Sequence, residues 1–165
     1  MGEIGSAKAT LRRRMLAARR AVPDPLDRSA AIWERVESLG AVRPSAVVMA
    51  FSSVHGEPVT TSFIAGCRAA GCAVVLPEDV PPPDARLIDV IVVPGVAFTV
   101  DGRRLGQGGG WYDRFLPGLR DHCPMIGVAF EVQIVDELPT EPHDVTLDVV
   151  VTEHRVCRAD GRGGL

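Results

Sequence analysis

Five short apolar runs constrain the fold of this chain more than any other feature of its sequence. They read AVVMAF at 46–51, AVVL at 73–76, LIDVIVV at 87–93, MIGVA at 125–129 and LDVVV at 147–151. Runs that are almost continuously apolar are typical of strands buried on both faces of a parallel sheet. We therefore predict a strand at each of these five places.

Segments with helical patterns lie between the predicted strands. A first helix is expected to run from its N-cap Ser6 to about Ala21. Further helices are expected at about 26–39, 60–70 and 111–116, with a short strand at 97–100 and a helical turn at 131–135. Four basic residues of the first helix are expected to be solvated, namely Arg13, Arg14, Arg19 and Arg20.

Buried strands that alternate with helices imply an α/β fold. We predict a three-layer α/β/α architecture of Rossmann-like type, with a mostly parallel sheet and helices on both faces. The length of 165 residues suits one domain spanning 1–165. Its glycine-rich end, 158–165, is expected to be disordered.

Composition and charge disfavour several classes of partner. The net charge of −3 argues against general affinity for nucleic acid. No apolar run approaches the roughly 20 residues that span a bilayer, and the first residues lack a secretory pattern, so we expect a cytoplasmic protein. The cysteines lack CxxC spacing and fit no structural zinc pattern, which favours reduced thiols; they are Cys67, Cys72, Cys123 and Cys157.

The most specific local feature is RRLGQGGGWYDR at 103–114, with four glycines within five positions. Glycine permits positive φ and close approach of a ligand, and successive N–H groups in such a turn form an anion site. A helix beginning near Gly110 would add its positive end. Arg103 or Arg104 could clamp phosphate, although Arg103 is alternatively a turn residue. Asp113 could hold Mg²⁺ or merely pair with a neighbouring arginine.

Two familiar nucleotide motifs do not fit this segment. A P-loop requires a Gly-Lys pair, and the chain contains none. The dinucleotide fingerprint GxGxxG beginning at Gly106 would require glycine where Trp111 stands. The usual P-loop and dinucleotide-binding enzymes are therefore disfavoured.

The loops after the predicted strands are expected to share one edge of the sheet. They span 51–57, 77–78, 94–112 and 129–133. Ligands of open α/β sheets bind at the carboxyl ends of the strands. We therefore expect these loops to form the binding site together.

Several blocks of sequence occur in an order that is typical of one enzyme family. They are KATLR at 8–12, EPVT at 57–60, PGVAF at 94–98, GRRLGQGGGWYDR at 102–114, GVAFEVQ at 127–133, PHD at 142–144 and the stretch 148–153. In these blocks the chain resembles the 5-formyltetrahydrofolate cyclo-ligases, also called 5,10-methenyltetrahydrofolate synthetases. The resemblance covers nearly the whole chain.

The resemblance implies an activity that uses ATP and Mg²⁺. Members convert 5-formyltetrahydrofolate to 5,10-methenyltetrahydrofolate: ATP phosphorylates the formyl oxygen, N10 attacks the activated carbon, and phosphate leaves. Phosphoryl transfer depends mainly on positioning and on neutralisation of charge. The resemblance also implies a small-molecule folate substrate, and we expect a monomer with no nucleic-acid or membrane partner.

The resemblance further assigns residues to each ligand. The ATP-binding positions are Lys8, Arg12, Arg104, Leu105, Gly106, Gln107, Gly108, Gly109, Gly110, Trp111 and Tyr112. The folate-binding positions are Ser52, Glu57, Gln107, Gly108, Gly109, Gly110 and Trp111, with Glu57 accepting from N–H groups of the pterin. Asp113 and Asp144 correspond to the Mg²⁺ carboxylates, and Arg104 and Asp113 to the catalytic residues.

Two departures from the family pattern keep alternatives open. Trp111 stands where members usually carry tyrosine or phenylalanine. Between Pro77 and Leu87 only EDVPPPDAR intervenes, whereas most members have a much longer insert. A shortened, non-catalytic relative that binds nucleotide or folate without turnover is therefore an alternative, and RNA binding by the basic first helix is a third hypothesis.

Overall fold

The computed structural model describes residues 3–139, 141 and 144–159. Its strands are β1 (Val47–Met49), β2 (Ala73–Val75), β3 (Val90–Val93), β4 (Ala97–Phe98), β5 (Arg104–Leu105), β6 (Met125–Val128), β7 (Val149–Val151) and β8 (Val156–Arg158). Its helices are α1 (Glu3–Arg20), α2 (Pro25–Ser38), α3 (Thr61–Ala69) and α4 (Trp111–Phe115). Turns of 3₁₀ helix occupy Ala85–Leu87, Leu116–Gly118 and Glu131–Gln133.

Six strands form one sheet in the order β2-β1-β3-β6-β7-β8. The first five run parallel, and β8 runs antiparallel to β7 at the edge. Strands β4 and β5 form a separate antiparallel hairpin. The mostly parallel α/β sheet predicted from the sequence is confirmed, because each apolar run supplies one of the parallel strands.

Successive residues of the central strands alternate between two buried faces, as the pleat of a strand requires. One face packs against α2 and α3, and its cluster includes Val48, Val92, Ile126, Trp33 and Phe63. The other packs against α4 and the 3₁₀ turn after it, and its cluster includes Met49, Ile91, Val150, Phe98 and Leu116. Burial on both faces explains why the strand sequences are continuously apolar.

Helix α1 packs on the β4–β5 hairpin. Met15 of α1 joins Val96, Ala97, Leu105 and Leu138 in a third buried cluster. The hairpin follows β3, so this contact holds α1 beside the carboxyl ends of the parallel strands. The polar residues on that side of α1 therefore lie close to the loops of the predicted site.

Four details differ from the sequence predictions. Helix α1 begins at Glu3, so Ser6 lies inside it and does not cap it. Strand β2 was expected to be buried on both faces, but it lies at the sheet edge and Ala73 is exposed. The third run begins as a 3₁₀ turn, because Asp84 accepts from the N–H of Arg86 and fixes that turn before β3 starts.

The fourth difference is β8, which the sequence did not predict. Its three residues pair with β7, with Cys157 opposite Val150. The tail predicted to be disordered from 158 thus begins inside this strand, while 160–165 lie outside the described residues. Pro142 and His143 of the closing blocks also lie outside them.

All four cysteines are free thiols, as the sequence predicted, and all are buried except Cys157, which is half-buried in β8. Within residues 3–139, 141 and 144–159, no group of three or more His, Cys, Asp or Glu side chains could hold a metal ion. The same part of the chain contains no helix with the length and apolar character needed to cross a membrane.

The hairpin that carries α1 depends on Gly102. Its φ is +89°, and a Cβ there would lie 2.3 Å from the carbonyl oxygen of Leu147. We expect Gly102→Ala to lower the free energy of unfolding by more than about 2 kcal/mol, because the left-handed backbone and the clash both oppose it. Urea denaturation followed by circular dichroism measures this.

Gly66 provides a matched control for that substitution. It lies in α3, and within the described residues no atom beyond its chain neighbours and the helix's own backbone lies within 4 Å of the position a Cβ would take. We expect Gly66→Ala to raise the free energy of unfolding by about 0.5–1 kcal/mol, since alanine favours the helix. Equal effects of the two substitutions would contradict the steric account of Gly102.

Candidate functional site

The loops after β1 and β3 meet at the carboxyl edge of the sheet and enclose a cavity of about 180 Å³. Gln107 Nε2 donates to Glu57 Oε1 at 2.9 Å, which joins the glycine-rich segment to the loop after β1. The Ser52 hydroxyl donates to Glu78, which joins that loop to the loop after β2. The cavity is lined by Glu57, Pro94, Gly95, Arg104, Gly106, Gln107, Gly109, Gly110, Trp111, Tyr112 and Asp113.

Glu57 is a buried carboxylate at the wall of this cavity, with 5% of its surface exposed. Its Oε2 accepts from the N–H of Val54 at 3.0 Å, and its Oε1 accepts from Gln107. Burial raises the pKa of Glu57, while the Val54 hydrogen bond and the charge of Arg19 act in the opposite direction. The two hydrogen bonds leave lone pairs of the carboxylate free to accept from a ligand.

Arg19 was expected to be a solvated residue of α1, and this prediction is wrong. The residue is 1% exposed. Its Nη1 donates to the carbonyl of Gly95 at 2.9 Å and its Nη2 to that of His55 at 3.0 Å. The guanidinium therefore lies behind the cavity wall, where Nη1 is 3.7 Å from Glu57 Oε1.

A signal in the sequence could have identified Arg19. It lies four residues after the buried Met15, seven after Arg12 and eleven after Lys8, so all four share one side of α1. The helix is predicted from an apolar stripe of Leu11, Met15, Ala18 and Val22, and that stripe does not include Arg19. Arg13, Arg14 and Arg20 are exposed, as expected.

Arg104 and Arg103 point to different surroundings. The Arg104 side chain is 5% exposed, its Nη2 donates to Asp113 Oδ1 at 2.7 Å, and its guanidinium lies 5.3 Å from the ring centroid of Tyr112. Burial lowers the pKa of Arg104, and the charge of Asp113 opposes that shift. Arg103 instead pairs with Asp101 at 2.6 Å on the exposed side of the hairpin. Only Arg104 therefore faces the cavity.

The glycine-rich segment adopts the backbone conformation that its composition predicted. Gly108 and Gly110 have φ values of +106° and +65°, which side-chain-bearing residues rarely adopt. The carbonyl of Gly106 accepts from Arg12 Nε at 2.8 Å, so α1 fixes the start of the loop. Helix α4 begins after Gly110, as expected, but it has only five residues and its dipole adds little.

Lys8 and Asp144 lie together beside the cavity. Lys8 Nζ contacts Glu141 Oε2 at 2.6 Å and Asp144 Oδ2 at 3.4 Å. Asp144 lines a neighbouring depression together with Arg103 and Arg104, whereas Asp113 lines the main cavity. Each expected Mg²⁺ carboxylate is thus paired with a cation, and Arg104 borders both places.

The remaining predicted residues differ in how they relate to the cavity. Ser52 is exposed and is not among the residues that line it. Trp111 lines it while stacking on Phe115 at 4.6 Å between ring centroids. Leu105 turns its side chain into the cluster beneath α1. Any contact of Leu105 with a ligand would therefore involve its backbone.

Tyr112 carries a buried polar atom that lacks a partner within the described part of the chain. Its hydroxyl oxygen has no hydrogen bond there, although buried polar groups normally do. Burial raises the pKa of Tyr112, and the negative charges of Glu57 and Glu78 add to that shift. The phenol is therefore held as a neutral hydrogen-bond donor near those carboxylates.

Comparisons with known proteins relate the chain to one family. A model described as the 5-formyltetrahydrofolate cyclo-ligase family matches residues 4–84 and 78–153. The two matches overlap at 78–84, within the segment that the sequence analysis expects to be shortened. The 5-formyltetrahydrofolate cyclo-ligase of Mycolicibacterium smegmatis is 29% identical over 184 residues, which cover 90% of this chain and 95% of that protein.

Other relatives match locally or in structure. The 5-formyltetrahydrofolate cyclo-ligase of Escherichia coli K12 is 43% identical over 70 residues, covering 42% of this chain and 38% of that protein. The 5,10-methenyltetrahydrofolate synthetase of Mycoplasma pneumoniae superposes with a TM-score of 0.78 at 25% identity, covering 88% of this chain and 98% of that one. The 5,10-methenyltetrahydrofolate synthetase of Aquifex aeolicus superposes with a TM-score of 0.79 at 26% identity, covering 94% of this chain and 95% of that one.

The family model accounts for most of the chain, and the two superposed structures confirm the α/β fold predicted from the sequence. The resemblance stated from the sequence blocks is confirmed as well. The chain belongs to the 5-formyltetrahydrofolate cyclo-ligase family, a family of ligases.

Proposed function

We propose that this protein converts 5-formyltetrahydrofolate to 5,10-methenyltetrahydrofolate with ATP and Mg²⁺. The observation that carries the proposal is the hydrogen bond between Gln107 and Glu57. It joins the segment expected to bind ATP to the carboxylate expected to bind the pterin, at one cavity that Arg104 also lines. Transfer of phosphate to the formyl oxygen requires both substrates to meet in this way.

The groups around the cavity suit the phosphates of ATP. Lys8 and Arg12 extend from α1, and Arg104 extends from β5. Gly106, Gly109 and Gly110 line the cavity, and without side chains they let a ligand approach the backbone of the loop closely. Cationic side chains and backbone N–H groups neutralise and orient phosphoryl oxygens, so this chain would position the transferred group and stabilise its charge.

Asp113 and Asp144 would hold Mg²⁺ when it enters with ATP. Magnesium commonly retains several waters and takes one or two carboxylates together with phosphate oxygens, so two carboxylates are a sufficient protein contribution. The ion would supply further neutralisation of phosphate charge. Lys8 and Arg104, which pair with these carboxylates now, lie where they could also contact the phosphates.

The pterin ring fits the Glu57 side of the cavity. Glu57 has lone pairs for ring N–H groups, and the Tyr112 hydroxyl is a buried donor for a ring oxygen. A volume of about 180 Å³ suits one ring system rather than two whole substrates. We infer that the ring occupies the cavity while the rest of each ligand lies over the exposed loops.

A shortened, non-catalytic relative is the second candidate. Only 76–84 separate β2 from the next 3₁₀ turn, and Val80 in this segment is 94% exposed. A short segment covers less of the site than a long insert would, which favours access of water to it. The cytoplasmic location, the monomeric state and the absence of a nucleic-acid partner stay predictions from the sequence.

Formation of the methenyl chromophore tests the proposed reaction. Purified protein with 5-formyltetrahydrofolate and MgATP should produce the absorbance of 5,10-methenyltetrahydrofolate, and omission of ATP or addition of a chelator should abolish it. Tight binding of either substrate without absorbance change would support the non-catalytic relative. Absence of both binding and turnover in folded protein would contradict the proposal.

Two adjacent arginines test the assignment of the phosphate site. We expect Arg104→Ala to lower kcat/KM by at least about 100-fold, because a buried cation aimed at the transferred group is lost. Arg103→Ala should stay within about twofold, since its pair with Asp101 is exposed. Initial rates and thermal unfolding of both variants are the measurements. Similar losses of kcat/KM in the two variants would contradict the assignment of Arg104 to the phosphate site.

Tyr112 should show opposite effects on stability and on binding. Tyr112→Phe removes a buried hydroxyl that has no partner in the described part of the chain, so we expect the free energy of unfolding to rise by about 1 kcal/mol. The affinity for folate should fall, because the pterin ring loses the hydrogen bond that the Tyr112 hydroxyl would donate to it. Denaturation and calorimetric titration measure the two effects.

Ser53→Ala is the matched control for Tyr112→Phe. The Ser53 hydroxyl donates to the carbonyl of Pro58 at 2.8 Å and accepts from the N–H of Thr60 at 2.9 Å. Its removal should lower the free energy of unfolding by about 1 kcal/mol. A loss of stability in Tyr112→Phe as large as in this control would show that the phenol is satisfied in the folded protein.

A further inference from the structure

Arg19 connects three parts of the site from behind the cavity wall. Its Nη1 donates to the carbonyl of Gly95, and its Nη2 and Nε both donate to the carbonyl of His55, at 3.0 and 3.3 Å. Gly95 follows β3 and lines the cavity, while His55 precedes Glu57 in the loop after β1. One side chain of α1 thus holds the backbone of both loops.

The same guanidinium stands near Glu57 without occupying its acceptor sites. The distance from Arg19 Nη1 to Glu57 Oε1 is 3.7 Å, too long for a hydrogen bond. Its N–H groups are directed at the two carbonyls instead. The cation therefore stabilises the carboxylate charge across a buried gap, and the lone pairs of Glu57 stay available for a ligand.

We propose that Arg19 is a positioning residue for folate binding: it keeps the buried carboxylate of Glu57 negatively charged and correctly oriented while leaving its lone pairs free to accept from the substrate ring. This proposal rests on the proposed function for its ligand. Its electrostatic part concerns the protein alone and can be measured without any substrate.

Arginine suits this role better than lysine. A planar guanidinium presents donors in a fixed fork, which here reaches the two carbonyls of His55 and Gly95 at once. A lysine ammonium is a single point that would have to move toward one partner. Gln133 is also buried and donates to the carbonyl of Gly95 at 2.9 Å, so this oxygen is held from two sides.

Other charged groups near Glu57 must be considered in any titration. His55 lies in its own loop, Tyr112 faces it from α4, and Arg104 and Asp113 line the same cavity. Arg104 is paired with Asp113, and Tyr112 is a neutral phenol near pH 7 whose pKa burial raises further. Among the described residues, the positive charges that lower the pKa of Glu57 are therefore those of Arg19 and, to a smaller extent, His55.

The test measures the titration of Glu57 in the protein without ligand. Carbon NMR of protein labelled with [13C]glutamate gives carboxyl titrations, and the Glu57→Gln variant identifies the resonance. In unaltered protein we expect the Glu57 pKa to lie above its usual range, because the carboxyl group is buried. In Arg19→Gln it should rise by about one unit or more, because an opposite charge is lost. Arg19→Lys should stay closer to the unaltered protein, and the exposed Arg13→Gln should have no effect.

Folate binding provides a second, independent readout. Calorimetric titration with 5-formyltetrahydrofolate should show affinity that falls as pH drops through the Glu57 pKa, because the carboxylate is the acceptor. In Arg19→Gln this fall in affinity should occur at higher pH, so that the affinity at pH 7 is at least about tenfold lower than in unaltered protein. In a Glu57→Gln background, Arg19→Gln should cost much less, whereas a merely structural role would cost the same in both backgrounds.

The two readouts separate the possible failures. A Glu57 that is protonated at pH 7 in unaltered protein, or an unchanged titration in Arg19→Gln, overturns the role of Arg19. If Arg19→Gln does not fold, the Arg19→Lys variant is titrated instead. A Glu57 pKa in that variant that differs from that of unaltered protein by more than about one pH unit overturns the role of Arg19, because lysine keeps the positive charge. Absence of 5-formyltetrahydrofolate binding to unaltered protein, with the expected NMR shifts, overturns the proposed function and leaves the electrostatic role of Arg19 supported.

Discussion

The parallel pairing of β1, β3 and β6 determines where this protein can perform chemistry. Strands that run in one direction and are buried on both faces leave only their ends accessible. Their carboxyl ends carry the loop with Glu57, the Pro94–Gly95 turn and the hairpin with Arg104. The helical crossovers on the two faces make the parallel arrangement possible, and the cavity exists because these loops converge.

The sequence was sufficient for much of this arrangement, because apolar runs and glycine clusters report local constraints. The five parallel strands, the meeting of the loops after β1 and β3, and the positive φ values of Gly108 and Gly110 follow from such constraints, whereas 77–78 and 129–133 do not line the cavity. Strand β8 reads Val-Cys-Arg and forms no apolar run, and it pairs with β7 at the edge of the sheet. The burial of Arg19 is indicated in the sequence only by its place on the same side of α1 as Met15, because its partners are carbonyls of distant loops.

The site is built from groups whose burial opposes folding. Arg19, Arg104 and Glu57 are charged and almost fully buried, and the hydroxyl of Tyr112 is buried as well. Because the pKa of Glu57 is raised in the folded protein, its ionisation lowers the free energy of unfolding. Stability therefore falls as pH rises from the ordinary pKa of this carboxyl group through its raised pKa. The apolar clusters on the two faces of the sheet offset this cost, which is a common relation between stability and function.

The attachment of α1 has a thermodynamic consequence for the whole site. The helix contributes Met15 to one small cluster, and it also carries Arg12 and Arg19, which contact the loops of the cavity, and Lys8, which contacts Asp144 beside it. A local opening that detaches α1 would remove three cations from the site in one event. Docking of the helix and occupancy of the cavity are therefore linked equilibria: a ligand held by these cations should slow amide exchange throughout α1, far beyond the residues it touches.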